Sequence, residues 1–467
     1  MRRKLLKRSI DTIVRGKKLP EPKIKPTIEI KPIIYKQDAV VDKRKGISGH
    51  KKNRFKIFGY IGLGLVLLVL LAGKPVKNIY ALYSLLSDGK YLVLFQNNAE
   101  LRGGGGFVGS FAVVDILDKK IKSYYFESNI YKKDNAFAKI TDNSLPPEFQ
   151  EVLGKDWALT LRDANYQADF RDASKSVAQL YQAEYNHNIN GLIGLNASAI
   201  SQLLKLTGPV EIPQDNITVN SDNFFDILQN QIQVDYFKDD TNKLINEPKT
   251  ILKDMVPLVL NKLKNVSPLT LYNFFISQIR EKQILFWFSD NRQNIVEKNN
   301  WAGRVVGSND EYVYVSNANI GGQKTSILTN QTINYFGPSV SSIRREVNIT
   351  RFHQGGSSFN ADVENKNYLK LYIPQGSKII SIENNGQSLS DQDISIDSEF
   401  GKTVVGLWAS TKPYQTTLIK IIFDLPKYIN KGTILYQKQP GLVSERLKIQ
   451  FGRFIKFNQV VKRDKII

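Results

Sequence analysis

The sequence predicts an α/β domain followed by an all-β sandwich, both preceded by a single transmembrane helix. Residues 57–73 are an unbroken apolar run without a charge. Strand-like and helix-like segments alternate over residues 91–336, and this alternation predicts α/β layers. Short strand-like runs separated by turn residues fill residues 339–452, a pattern that predicts a β-sandwich.

The apolar run predicts that Phe55 to Gly73 cross a membrane, because it shows no polar face and is long enough to span the hydrocarbon core. The preceding residues, 1–54, form a basic and proline-containing tail that we expect to be flexible. Seven Lys and Arg lie in residues 35–54 and three in residues 74–93. The positive-inside rule therefore predicts a cytoplasmic N-terminus and extracytoplasmic C-terminal domains at the plasma membrane.

Composition excludes several kinds of site. The chain has no cysteine, which excludes disulfides, thiolate metal sites and cysteine nucleophiles. Its 3 histidines are far apart, which argues against a histidine-built zinc site. Of the net charge of +21, residues 1–56 carry +14. Only this basic tail favours nucleic-acid binding, and no recognisable nucleic-acid-binding module accompanies it. We therefore expect no nucleic-acid partner.

The α/β domain begins after a connector, residues 74–90, that contains one helical piece. Helices are predicted at 79–86, 173–185, 198–206, 221–234 and 268–282, and strands at 91–96, 107–116, 121–127, 191–195, 210–212, 284–288 and 311–315. Ser267 is a suitable N-cap for the helix that begins at Pro268. Seven further strands are predicted in the sandwich, and residues 453–467 are predicted to be a basic tail.

The first candidate site is the loop that contains Glu100, Arg102, Gly103 and Gly104. Glycines allow backbone N–H groups to face an anion, and an arginine can bind a phosphate through two hydrogen bonds. No helix follows, so this is neither a dinucleotide nor a Walker motif. The alternative is a glycine-rich connection between two strands.

Two further polar loops extend this hypothesis. One contains Arg162, Asp163, Asn165, Asp169 and Arg171, which suit a phosphate ester or equally a structural ion-pair network. The other contains Asn319 and Lys324 and follows a predicted strand. All three loops could converge at one edge of the sheet, where ligands of open α/β sheets bind.

Five blocks carry a resemblance to a known family: FQNNAELRGGGGFVGSF, LRDANYQADFRDAS, INGLIGLNASAISQLLKLTGPVEI, SNANIGGQKTS and YQKQPG. They resemble, in order, the bacterial family known as domain of unknown function 4012. The resemblance covers about residues 91–441 and implies an N-terminal membrane anchor. It implies no particular activity.

The order of the predicted elements is also similar to the LytR-CpsA-Psr family of the cell envelope. That resemblance implies a layered α/β sheet, arginines on the pyrophosphate of a polyprenyl-linked glycopolymer, and an aspartate with Mg²⁺. Glu100 and Arg102 fall at its first acidic-x-Arg loop, and Asp163 or Asp169 would hold the metal. Phe107 to Ser110 stand where a second Arg-x-Asp is expected, and Ser128 to Ile130 where Pro-Arg-Asp is expected.

Two functions follow as expectations. The first is a membrane-anchored envelope protein without catalytic activity that binds a cell-wall polymer or a surface partner. The second is a phosphotransferase acting on polyprenyl-pyrophosphate-linked glycopolymers, with Arg102, Arg162 and Arg171 on the phosphates and Mg²⁺ as the cofactor.

Overall fold

A computed structural model describes residues 76–213, 216–230, 250–356 and 362–467. The chain divides into two units, Met1–Lys51 and Lys52–Ile467, and every described residue lies in the second. The predicted tail and transmembrane segment lie outside the described residues. Within the part of the chain that the structure describes, no helix has the length and apolar character needed to cross a membrane.

Helices of the described part carry the α/β region. They are α1 (Val76–Leu85), α2 (Tyr131–Phe137), α3 (Pro147–Leu153), α4 (Phe170–Tyr185), α5 (Ala197–Thr207), α6 (Phe224–Asn230), α7 (Thr250–Leu263), α8 (Pro268–Arg280) and α9 (Arg292–Lys298). Two 3₁₀ helices cover Leu161–Tyr166 and Ser326–Leu328. The Ser267 hydroxyl accepts a hydrogen bond from the Thr270 N–H at 3.2 Å and so caps α8 as predicted.

A mixed sheet forms the centre of this region. Its strands are β1 (Gly89–Arg102), β2 (Gly105–Leu117), β3 (Lys120–Glu127), β4 (Gly191–Asn196) and β7 (Ile284–Phe288), in the order β3-β2-β1-β4-β7. A separate hairpin pairs β5 (Val210–Ile212) with β6 (Ile217–Val219). Strand β1 pairs antiparallel with β2 and parallel with β4.

Both faces of the mixed sheet are covered by helices. Leu92 and Leu94 pack on one face with Val177 and Leu180 of α4. On the opposite face, Tyr91 packs with residues of α1 and α8. Alternate residues of β1 therefore serve two cores, which explains why this strand reads as an almost continuous buried run.

Two β-sheets form the C-terminal region. Their strands are β8 (Asp310–Asn319), β9 (Thr329–Gly337), β10 (Arg344–His353), β11 (Asn367–Pro374), β12 (Lys378–Asn384), β13 (Gln387–Ser388), β14 (Ile394–Glu399), β15 (Lys402–Trp408), β16 (Thr416–Asp424), β17 (Asn430–Gln437), β18 (Glu445–Phe451), β19 (Phe454–Val461) and β20 (Lys465–Ile466). The sheet orders are β13-β12-β16-β10-β9-β18-β19 and β14-β15-β11-β8-β17-β20. Inward-facing residues of both sheets form one hydrophobic cluster.

The strand predicted at 311–315 was placed wrongly at the end of the α/β domain. It belongs to β8, which pairs antiparallel with β11 and parallel with β17. Strand β9 likewise lies in the other sheet of this region, although residues up to 336 were assigned to the α/β domain. The alternation of strands and helices along a sequence indicates element types, but it does not indicate which sheet a strand joins.

The predicted C-terminal tail, residues 453–467, is also wrong. Gly452, with φ +55°, turns the chain so that β19 pairs with β18. Strand β20 then pairs with β17 at the edge of the second sheet. The basic residues misled the prediction because an edge strand can carry charges on its exposed positions.

Candidate functional site

The glycine-rich loop is a tight hairpin turn. Arg102 of β1 pairs with Gly105 of β2, so that Gly103 and Gly104 form the turn between them. A Cβ atom at Gly103 would lie 2.3 Å from the backbone oxygen of Tyr166. The glycines therefore let the hairpin pack directly on the 3₁₀ helix Leu161–Tyr166.

Asn165 holds the hairpin from that helix. Its backbone oxygen accepts the N–H of Gly104 at 3.3 Å, and its side-chain amide donates to the oxygen of Gly106 at 3.1 Å. A Cβ at Gly104 would lie 2.0 Å from the Asn165 Oδ1 atom. The close packing of the hairpin on this 3₁₀ helix therefore explains the need for glycine at these positions.

Glu100 stands at the centre of a buried ionic network that joins two of the predicted loops. Arg102 Nη2 donates to Glu100 Oε1 at 2.8 Å, and Lys324 Nζ contacts the other carboxylate oxygen. Arg102 also donates to the backbone oxygen of Asn319. Glu100 and Arg102 are only 2% and 3% exposed, so this network is shielded from water.

Arg162 forms a second part of the network. Its Nε lies 3.5 Å from Asp163 and 3.6 Å from Asp134, and its Nη1 donates to Asn135 Oδ1 at 2.9 Å. Asp134 also accepts hydrogen bonds from Thr160 Oγ1 at 2.9 Å and from the backbone of Arg162 at 3.1 Å. This guanidinium group is therefore surrounded by acceptors of the protein itself.

Aromatic rings and guanidinium groups alternate across the cluster. Arg162 lies 4.9 Å from the ring centroid of Trp157 and 5.5 Å from that of Tyr131. Tyr131 stacks with Phe107 at 6.4 Å, and Arg102 lies 5.3 Å from the Phe107 ring. Trp157 is 40% exposed and forms the solvent-facing end of this stack.

The ionisation of the cluster follows from burial and from neighbouring charges. Burial raises the pKa of Asp163, and Arg102 and Arg162 oppose that rise without cancelling it. Burial also acts to raise the pKa of Glu100, but Lys324 and Arg102 outweigh it and leave the pKa below the ordinary value. Burial and the charge of Glu100 raise the pKa of Tyr131.

A carboxyl pair, Asp134 and Glu184, lies beside Arg162. Burial and the adjacent Asp134 raise the pKa of Glu184 to about 9, so this carboxyl group is protonated at neutral pH. The Glu184 Oε1 atom accepts the N–H of Leu161 at 2.8 Å. The sequence analysis did not assign either residue to the site, because Asp134 lies between the first two family blocks and Glu184 belongs to the helix predicted at 173–185.

Asp169 and Arg171 were predicted in the same site, and the structure assigns them other contacts. Asp169 caps α4 by accepting the N–H of Asp172 at 3.3 Å, and it accepts the N–H of Val305 at 2.9 Å. Arg171 pairs with Asp172 at 3.3 Å and with Glu297 at 3.7 Å. Among the described residues, no hydrogen bond or ion pair joins Asp169 or Arg171 to Arg102 or Arg162.

The carboxylates do not fit a Mg²⁺ site. Asp163 faces a guanidinium group, and Asp169 is engaged by two backbone N–H groups. Magnesium prefers several oxygen ligands around an octahedron. The described part of the chain contains no group of three or more His, Asp or Glu that could hold a metal ion.

Gln439 was not singled out by its chemistry, although it lies in the family block YQKQPG. Its Nε2 donates to the backbone oxygens of Arg102 at 3.0 Å and Asn317 at 2.7 Å. The Asn98 side chain donates to the oxygen of Gly441 at 2.8 Å. This block therefore connects the mixed sheet to the C-terminal sheets behind the ionic network.

Residues 88–232 match the family model described as "Protein of unknown function (DUF4012)". The first resemblance is thus confirmed over these residues, which include the glycine hairpin and the 3₁₀ helix. The resemblance to the LytR-CpsA-Psr family is not shown and stays a prediction. A search of curated proteins found no match.

Solved structures show only remote similarity. The Lin1025 protein from Listeria innocua is 10% identical, with a TM-score of 0.24 over 46% of this chain and 79% of that protein. Aminopeptidase A from Legionella pneumophila is 11% identical, with a TM-score of 0.17 over 31% of this chain and 16% of the enzyme. An M1 zinc metallopeptidase from Deinococcus radiodurans is 12% identical, with a TM-score of 0.15 over 26% of this chain and 30% of the enzyme. The chain thus spans less than one third of either peptidase, and no functional argument rests on these similarities.

Proposed function

We propose that this protein is a single-pass, membrane-anchored protein of the cell envelope whose extracytoplasmic part binds an envelope polymer without group-transfer chemistry. The proposal rests on one observation: the buried charges of the cluster are paired with each other. Arg102 and Lys324 share the carboxylate of Glu100, and Arg162 is paired with Asp134 and Asp163. A phosphate ester would have to displace these buried partners.

The anchor part of the proposal rests on the sequence. The apolar segment Phe55 to Gly73 ends three residues before α1 begins at Val76. The basic residues before that segment favour a cytoplasmic N-terminus. The domains described above would then face the cell exterior at the plasma membrane.

The binding surface we infer is the exposed end of the aromatic stack. Trp157 is held on one side by the guanidinium group of Arg162. An indole ring fixed in this way is rigid and can pack against the apolar face of a sugar ring at a low entropic cost. Polar side chains nearby, such as Asn135, are exposed and can hydrogen-bond to hydroxyl groups.

The test uses the full chain in detergent and purified envelope glycan polymer. We expect the polymer to shift the tryptophan fluorescence to shorter wavelength and to bind at least tenfold more weakly to Trp157→Ala. The control is Phe454→Ala, which removes another exposed aromatic ring, on β19. Equal polymer binding by the wild type, Trp157→Ala and Phe454→Ala would refute this surface as the binding site.

The second candidate is the phosphotransferase acting on polyprenyl-pyrophosphate-linked glycopolymers. One observation favours it: the buried carboxylate of Asp163 lies 3.5 Å from Arg162, and the charge of Arg102 also acts to lower its pKa. Calorimetric titration with a polyprenyl-pyrophosphate analogue and Mg²⁺ distinguishes the candidates. Binding that is lost in Lys324→Gln, a variant at the rim of the network, would favour this enzyme over the first proposal.

A further inference from the structure

The hairpin between β2 and β3 projects a short tip that combines an apolar residue with lysines. Asp118 and Lys119 form the turn with φ of +51° and +57°, a conformation typical of two-residue hairpins. Leu117 is 47% exposed although it is a large apolar residue, and Lys119 and Lys120 are exposed beside it. The hairpin therefore presents both kinds of side chain that bind a membrane surface.

This tip contacts α1, the helix that follows the predicted membrane anchor in the sequence. The Lys119 ammonium lies 4.1 Å from the ring centroid of Tyr83 in α1, and the Lys119 N–H donates to Asp88 Oδ1 at 3.3 Å. Tyr83 follows Gly73 by ten residues, which span at most about 35 Å even when fully extended. The tip is thus held within reach of the lipid headgroup layer.

The charge around the tip is positive. The exposed lysines of this surface are Lys77, Lys90, Lys119, Lys120 and Lys122. They face three aspartates, at positions 88, 115 and 118, of which Asp115 pairs with Lys90 at 3.7 Å. The aromatic ring of Tyr80, 72% exposed on α1, adds a residue type that is enriched at membrane interfaces.

We propose that the hairpin tip Leu117 to Lys120 and the exposed side of α1 dock onto the anionic phospholipid headgroups of the membrane that carries the anchor. The docking fixes the orientation of the extracytoplasmic domains relative to that membrane. This inference rests on the anchor part of the proposed function. It does not depend on polymer binding at Trp157.

The absence of cysteine from the sequence makes the test direct, because one introduced cysteine is the only labelling site. Ser123→Cys, exposed on β3, carries an environment-sensitive fluorophore, and Ser341→Cys, exposed before β10, carries the same label as a control. The full chain is reconstituted into phosphatidylcholine vesicles with and without phosphatidylglycerol. A quencher attached to the lipid headgroups reports proximity.

We expect quenching of the Ser123 label to exceed that of the Ser341 label, to increase with phosphatidylglycerol and to fall at high salt. The charge variant is Lys120→Gln together with Lys122→Gln, which leaves the Lys119–Tyr83 contact in place. Each lysine near an anionic surface changes the equilibrium constant of docking about fivefold, so the double variant should lower that constant about 25-fold. Equal quenching of the two labels, or no response to the charge variant, would overturn the docking.

Flotation of the vesicles keeps the two proposals apart. Protein that fails to float with either kind of vesicle would refute the anchor, and with it this inference. Protein that floats but shows no difference between the two labels would refute the docking alone. As a control for folding, the lysine double variant should give the same far-ultraviolet circular dichroism spectrum as the wild type.

Discussion

Replacing Glu100 by glutamine should destabilise the folded protein strongly, although the two side chains have nearly the same shape. The change removes the one carboxylate that Arg102 and Lys324 share. Lys324 has 11% of its side chain exposed and can turn toward water. Arg102 has only 3% exposed and stays buried, so its charge determines the cost.

The size of the effect follows from that burial. Removing one partner of a buried ion pair costs about 3–5 kcal/mol, since the other charge stays desolvated and unpaired. Lys324 can relax, and Arg102 keeps its hydrogen bond to the backbone oxygen of Asn319. We therefore expect a loss near the lower limit, about 3 kcal/mol of the free energy of unfolding.

The measurement is urea unfolding of the full chain in detergent, followed by tryptophan fluorescence. The matched control is Asp115→Asn, which breaks the exposed Lys90–Asp115 pair and should cost less than about 1 kcal/mol. A double variant, Glu100→Gln with Arg102→Met, should recover most of the loss because it removes the guanidinium group that Glu100→Gln alone leaves buried without its carboxylate. Equal unfolding midpoints for Glu100→Gln and Asp115→Asn would refute the reasoning.

The same carboxylate predicts a dependence on pH. Its pKa in the folded protein lies below the ordinary value, because Lys324 and Arg102 outweigh the effect of burial. The stability contributed by Glu100 is therefore present above the unfolded-state pKa of about 4.3 and is lost as the pH falls through the folded-state pKa. Below that range, wild type and Glu100→Gln should converge in stability.

Three other predictions concern single positions. Glu184→Gln should stabilise the protein relative to wild type, and the difference should grow between about pH 4.3 and pH 9. Burial and Asp134 raise the pKa of Glu184 to about 9 in the folded protein. Over that pH window the unfolded wild-type chain releases the proton while the folded protein keeps it, so the wild type loses stability as the pH rises. Gly106→Ala should cost about 1–3 kcal/mol, since its Cβ would lie 2.3 Å from a backbone carbon of the facing strand. Ser267→Ala should cost about 1 kcal/mol through loss of the α8 cap.

Each of these has its own control. Unfolding midpoints of wild type and Glu184→Gln that differ equally at every pH would contradict the protonated carboxyl group. Gly307→Ala should leave stability unchanged, because a Cβ there meets no atom within 4 Å. If it is as destabilising as Gly106→Ala, the close packing of the hairpin does not explain the glycines. Thermal unfolding is sufficient for Ser267→Ala, and an unchanged midpoint would contradict the cap.

Sequence patterns predicted the strands of the mixed sheet and the helices α1, α4, α5, α6 and α8, because apolar periodicity and turn residues are local signals. They did not predict α2, α3, α7 or α9. The sequence allowed the loops of Glu100 and Lys324 to converge at one edge of the α/β sheet. The two loops do meet, but the second follows β8 of a C-terminal sheet, so the contact joins two sheets. The partner of each charge was not predictable. Pairing depends on which side chains share a buried volume, and that information is not local.

The separation of Asp163 from Asp169 illustrates what local sequence signals do not predict. The two residues lie only six positions apart and read as one polar motif. The 3₁₀ helix ends at Tyr166 and α4 begins at Phe170, so the chain changes direction between them. Asp163 consequently faces Arg162, whereas Asp169 faces the backbone of Val305. The change in backbone direction determines the contacts of each carboxylate, and the composition of this segment does not indicate it.

The parallel pairing of β17 with β8 and of β18 with β9 sets the order in which the protein can be completed. Strands β8 and β9 are made more than a hundred residues before their parallel neighbours, so both sheets keep an open edge throughout synthesis of the intervening chain. Gln439, which holds the backbone of Arg102 in place, follows β17 and precedes β18 in the chain. If the domains are exported as proposed, the backbone of Arg102 gains its hydrogen bond from Gln439 only after that residue has crossed the membrane. Until β17 and β18 follow, the nascent chain exposes unpaired strand edges that folding factors on the outer side would have to protect.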